Sequence, residues 1–260
     1  MNGEHMSPES VVRFLCRFCS DDVTRPSLHS PWLSHGKCYA TDGRIAIRLD
    51  PGLAPLSVER KYQCDAPLHA SGDIDKWISS DYDDVKAHRR EALPIDFASL
   101  HLAAVAALDS ARAHAPEPEL PVEDCDFCID EPMTVDSFVR TNSVVILPGK
   151  RRAVVAAVYA NLVADVAAAF GGCVGWGWES IPKSRRRDFE RYLRILFVGA
   201  HYDILLMPIR TDPLPRPYNC NARCFRSVAD AATGKLVHSY GDRSPADFDV
   251  LRFGEKGGVK

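Results

Sequence analysis

Long apolar runs are missing from this chain. None approaches the roughly 18 residues that a membrane-spanning helix needs, and Met1-Asn2-Gly3-Glu4-His5 does not open a signal peptide. A cytoplasmic chain with no membrane partner is the expectation. A surplus of charge of one sign is also missing. Its 260 residues carry 32 basic against 35 acidic side chains, a formal −3, so no polycationic tail marks it for non-specific nucleic-acid binding. A basic face on an acidic body stays open. Cysteine is sparse and odd in number: nine, far too few for a secreted disulfide scaffold. Recognisable catalytic signatures are lacking too. There is no Gly-x-Ser-x-Gly, no phosphate-cradling glycine loop, no His-Glu-x-x-His, and no His-x-Glu paired with Pro-Cys-x-x-Cys. No nucleophile–base set assembles, and a non-enzyme is expected. No repeat recurs at a fixed period.

What is present is an ordinary globular balance, 46% apolar and 26% charged, in a chain long enough for one large domain or two small ones. Ser7 as a cap, Pro8 behind it, and Val11, Phe14, Leu15 and Phe18 at helical spacing predict a helix over 7–22. Three short antiparallel strands follow, at 28–33, 37–41 and 44–49, turning at Ser34-His35-Gly36 and Asp42-Gly43. Residues 59–93 are mixed and charged with little periodicity. A second helix fits 96–113, and 117–132 is a polar, proline-rich loop. A strand at 143–147 leads to a helix within 153–170, whose first residues Val154-Val155 suit a hairpin as well. Gly171-Gly172 stops that helix. The stretch 179–188 is a basic loop with Lys183, Arg185, Arg186 and Arg187, read as solvated. Two apolar runs, 192–198 and 202–209, form a second hairpin around Gly199-Ala200-His201. Three prolines over 211–217 mark a boundary, and the tail holds a further hairpin turning at Thr233-Gly234.

Two stretches carry a family resemblance. The first is Asp22-Val23-Thr24-Arg25-Pro26-Ser27-Leu28 followed by Ala40-Thr41-Asp42-Gly43-Arg44; the second is Ile204-Leu205-Leu206-Met207-Pro208-Ile209-Arg210. Together they resemble the bacterial sliding clamp, the processivity factor of the replicative DNA polymerase. The resemblance implies an α+β fold of DNA-clamp type, built from two helix-plus-antiparallel-strands halves over 1–210. It leaves an insertion at about 51–140 and a C-terminal extension at 211–260. It further implies a non-enzymatic accessory of DNA replication or repair, with DNA and a DNA polymerase or other clamp-binding proteins as partners.

The chain also departs from the family. Clamp chains have three such domains and this one has a single domain. Arg44-Ile45-Ala46 replaces the His-Arg-Leu that follows Asp-Gly, and the chain continues past Arg210. A closed ring uses six clamp domains, so a ring from this chain needs six copies; as a homo-oligomer, a dimer is expected ahead of a hexamer, and a monomer equally so. The run 192–198 is ill-suited to an exposed sheet edge unless the insertion or tail covers it.

On this resemblance Arg13, Arg17 and Arg25, with Lys150, Arg151 and Arg152, face DNA phosphates, against the plainer reading of solvated surface. Partner tails would insert apolar residues into a groove whose matching positions are Thr41, Gly43, Arg44, Met207, Pro208 and Arg210. In the family these two motifs sit on neighbouring domains. Here they share one, so they are expected to meet only across a subunit contact. The plainer alternative is that Met207-Pro208 ends an edge strand.

Metal chemistry has one candidate. Cys125-x-x-Cys128 lies in the polar segment, and a closed structural zinc site would take its other ligands from Cys220 and Cys224 or from a histidine. Cys16 and Cys19 read as core thiols on an apolar helix. Asp81, Asp83 and Asp84, with His88 near, read as a solvated loop rather than a Mg²⁺ site. Two rivals remain beside the clamp accessory: a clamp-fold protein-interaction module or decoy that does not bind DNA, and a metal-dependent nucleic-acid-modifying enzyme.

Overall fold

A computed structural model describes residues 7–34, 36–50, 52–53, 68–87, 90–115, 134–149, 153–179, 192–209 and 227–238. Among these, the chain is a mixed α+β protein. Its first helix, α1 (Pro8–Cys16), is followed by strands β1 (Trp32–Ser34), β2 (Lys37–Thr41) and β3 (Ile45–Leu49). Then come α2 (Leu68–Lys86), β4 (Arg90–Leu93), α3 (Phe97–Ala113) and α4 (Val135–Asn142). The order continues β5 (Ser143–Leu147), β6 (Ala153–Ala156), α5 (Ala157–Phe170), β7 (Val174–Glu179), β8 (Tyr192–Val198) and β9 (Tyr202–Leu206). The last described elements are β10 (Ser227–Asp230) and β11 (Lys235–His238).

The chain divides into two compact units. The first combines Met1–Phe97 with Leu162–Pro208, and the second Ala98–Asn161 with Ile209–Lys260. In the first unit seven strands form a fully antiparallel sheet in the order β1-β2-β3-β9-β8-β7-β4. Strand alternation separates its faces. One face presents Tyr39, Ala46, Leu196 and Leu205, which bury Ile74 and Ile78 of α2. The register places Ile45, Ile47 and Leu49 opposite Leu206, Ile204 and Tyr202 on the other face. There Phe170 packs on both Phe14 of α1 and Tyr202. Gly175 in β7 allows a close approach: an added Cβ would lie 3.1 Å from Phe197 and 3.2 Å from Ile95.

The second unit holds a four-stranded sheet, β11-β10-β5-β6, in which β10 runs parallel to β5 and the other pairs are antiparallel. Val144, Ile146, Val154 and Val228 form its apolar cluster. The Ser227 hydroxyl donates to that of Ser110 in α3 at 2.9 Å.

Several expectations change. Helix α1 stops at Cys16 rather than at 22 because the chain tightens, with Phe18 N–H bonded to Leu15 O and Cys19 N–H to Cys16 O. Cys16 is therefore exposed and Cys19 half-buried, so they are not core thiols. The stretch 59–93 contains a nineteen-residue helix, α2, and a strand, β4. The range assigned to an insertion thus supplies the far edge of the first sheet. Run 192–198 is no edge, since β8 lies between β7 and β9. The chain passes from the first unit to the second between Pro208 and Ile209, and tail strand β10 pairs with β5 inside the second unit. The hairpin at Thr233-Gly234 is present, with Gly234 at φ 68° and its N–H bonded to Asp230 O at 2.9 Å.

Candidate functional site

The turn from β2 to β3 is built by its own side chains. Asp42 Oδ1 accepts the N–H groups of Arg44 at 2.8 Å and Ile45 at 3.0 Å. Thr41 Oγ1 donates to Ile45 O at 2.7 Å and accepts from Gly43 N–H at 2.9 Å. Gly43 stands at φ 88°, the left-handed region that a side chain strains to enter. The Arg25 guanidinium lies 3.0 Å from where its Cβ would be, so a side chain there would also meet that group.

The end of β9 lies beside this turn. Ile45 is registered against Leu206, and Met207 N–H donates to Arg44 O at 2.9 Å. The two motifs are therefore adjacent strands of one sheet and meet without a subunit contact, contrary to the expectation. Between them and α2 lies a cavity of about 200 Å³. Its sheet wall includes Thr41, Gly43, Arg44, Leu205 and Met207; its helix wall is Asp73, Ile74 and Trp77. Met207 is 42% exposed and Trp77 36%, so the cavity opens through two large apolar side chains. Of the six expected groove positions, Thr41, Gly43, Arg44 and Met207 line it. Pro208 follows outside its lining, and Arg210 lies outside the described residues.

The sequence reading missed the helix wall. Its signal is the spacing Ile74, Trp77 and Ile78, obscured by the aspartates around it. Arg194 also lines the cavity; its guanidinium lies 5.8 Å from the Trp77 ring centroid and pairs with Asp81 Oδ1 at 2.8 Å. Asp81 also pairs with Arg90, both with fully buried side chains. Burial pushes the Arg90 guanidinium below its ordinary value, and Asp81 opposes that shift. Asp81 is therefore part of a buried ion cluster on α2 rather than of a solvated loop. Further along α2, Arg48 bridges Asp75 at 2.9 Å and Asp203 at 2.7 Å. Tyr39 donates to Asp75 at 2.9 Å and Tyr82 to Asp203 at 2.5 Å.

The residues expected to face DNA do not gather here. Arg13 and Arg17 are exposed on α1 and at its end, and Arg17 pairs with Asp165 of α5 at 2.6 Å. Arg25 lies 3.6 Å from Asp22. Lys150, Arg151 and Arg152 lie outside the described residues, as do Lys183, Arg185, Arg186, Arg187 and the four cysteines Cys125, Cys128, Cys220 and Cys224. Among the described residues no cluster of His, Cys, Asp or Glu is arranged to hold a metal ion. Nor is any described helix long and apolar enough to cross a membrane. Comparison with protein-family models, with curated proteins and with solved structures finds no match.

Proposed function

We propose that this chain is a clamp-type accessory protein of DNA replication or repair that works by holding a short apolar segment of a partner protein in the cavity beside the Asp42-Gly43 turn. One observation carries the reading: two motifs more than a hundred and fifty positions apart in sequence, each resembling half of the clamp family's groove, line a single cavity. At about 200 Å³ the cavity is smaller than the roughly 300–1,000 Å³ of cofactor sites and suits an anchoring side chain. Trp77 and Met207 at its mouth are the side-chain types that bind: a large rigid aromatic and an adaptable thioether. Protein binding stands ahead of DNA binding in this reading. On α1 and the described part of α5 that faces it, Arg13 and Arg17 are matched by Glu9 and Asp165, which leaves no net positive face.

The test is titration of a labelled Gln-Leu-Ser-Leu-Phe peptide against wild type and Met207→Asp. The wild type should bind with a dissociation constant on the order of micromolar to millimolar. Met207 is exposed, so the variant should keep its melting temperature and lose at least tenfold in affinity, because a carboxylate would be desolvated against the apolar anchor. Wild type that gives no signal with millimolar peptide would refute the reading.

A further inference from the structure

The mouth of the cavity is charged with opposite signs on opposite walls. Arg44 stands exposed on the turn between β2 and β3, and Asp73 stands exposed on α2. Neither has an ion-pair partner among the described residues, and they do not bridge each other, since their charged atoms are not within 4.0 Å. Arg25, whose guanidinium lies against Gly43, is paired with Asp22 at 3.6 Å and does not add to the positive side. Arg194 also lines the cavity, but its charge is paired with the buried Asp81 at 2.8 Å. Ile45, Ile74, Leu205, Met207 and Trp77 make up much of the apolar part of the lining.

A site of this form has a direction. Resting on the peptide-pocket reading above, we infer that the occupant is a partner-protein segment whose apolar anchor is flanked by an acidic residue on one side and a basic residue on the other. The acidic residue lies towards Arg44 and the basic one towards Asp73. The apolar lining supplies affinity for the anchor, while the two charges fix which way the segment runs. A reversed segment would set like charges together at both ends, and like-charge juxtaposition is how interfaces reject wrong partners.

Three end-capped synthetic peptides test this: Asp-Leu-Ser-Leu-Phe-Lys, its charge-swapped form Lys-Leu-Ser-Leu-Phe-Asp, and the neutral Gln-Leu-Ser-Leu-Phe-Gln. Wild type should prefer one charged form over the other by about three- to tenfold, the range expected of exposed charge pairs. The preference should shrink towards unity in about 0.5 M salt, where exposed charges are screened. The double variant Arg44→Glu, Asp73→Lys should reverse the preference, whatever its affinity for the neutral peptide. Because both side chains are exposed, the variant should fold; Arg44→Gln and Asp73→Asn, made singly, should each reduce the preference without reversing it. Equal binding of the two charged peptides, or a preference unchanged in the double variant, would overturn the inference and leave the pocket reading standing. If none of the three peptides binds, the pocket reading fails and the inference falls with it.

Discussion

Asp81 stands with no exposed side-chain surface between two guanidiniums, Arg90 from β4 and Arg194 from β8. A carboxylate so placed is held by charge rather than by apolar contact, and removing it leaves Arg90, itself fully buried, short of its counter-charge. Asp81→Asn keeps the volume and removes only the charge, so it isolates this effect. It should cost about 3–5 kcal/mol in urea-denaturation free energy, the usual penalty for breaking a buried pair. A loss under about 1 kcal/mol, typical of exposed pairs, would show that solvent reaches the cluster. The residue could not be placed from the sequence. An acidic run among Ser and Tyr has the composition of a solvated loop, and its burial depends on arginines from distant strands. Gly43 and Met207 could be placed, because a turn glycine and a strand-ending Met-Pro each sit in a short motif that keeps its local geometry.

Among the elements, the Asp-Gly hairpin and the 192–206 hairpin were legible as short apolar runs flanking turn residues, and helix 97–113 by its helical spacing. Helix α2 was not. Its sheet-facing side mixes Ile74 and Ile78 with Asp75, Asp81 and Tyr82, so half of its interface is ionic and the apolar stripe is broken. Strand β7 was missed because Gly175 and Gly177 look like loop residues, although at Gly175 an added Cβ would press on the Phe197 ring. The parallel pairing of β10 with β5 leaves no local trace at all.

The ionic half of the α2 interface has a consequence for pH. Tyr39 and Tyr82 are pushed above the ordinary phenol value first by burial, then by the carboxylates of Asp75 and Asp203 to which they donate. Tyr202, on the opposite face, is raised by burial and by its bond with Cys173. In the unfolded chain tyrosines ionise near about pH 10. Above that pH the native state holds protons that the unfolded state has released, so unfolding free energy falls as pH rises. Stability from these tyrosines is full below about pH 10 and is lost beyond it. Urea midpoints followed from pH 8 to about pH 11.5 should fall steeply in wild type. Tyr39→Phe with Tyr82→Phe should start lower, having lost two hydrogen bonds, and decline less steeply. Parallel declines would show that other groups drive the alkaline limb.

At the scale of the whole molecule the question is whether a chain of net charge −3 holds DNA at all. A sliding surface needs cations free to replace counterions on phosphates, and each phosphate neutralised adds close to one unit to the slope of log affinity against log salt. Arg17 is not free: Asp165 lies 2.6 Å from its guanidinium. Removing that carboxylate therefore tests the DNA face more sharply than removing arginines. If Arg13 and Arg17 face phosphates, Asp165→Ala should raise affinity for any duplex, by about threefold to tenfold in low salt, and steepen the salt slope by about one. Arg17→Ala should then bind no more weakly than wild type by more than about twofold, since the paired arginine contributes little. Both effects should be the same for unrelated sequences, because phosphate contacts carry no sequence information. Fluorescence anisotropy with two duplexes of different sequence, at several salt concentrations, reads all three quantities. If neither wild type nor Asp165→Ala binds duplex at low salt, the DNA half of the proposed function is wrong and the protein works through its peptide pocket alone.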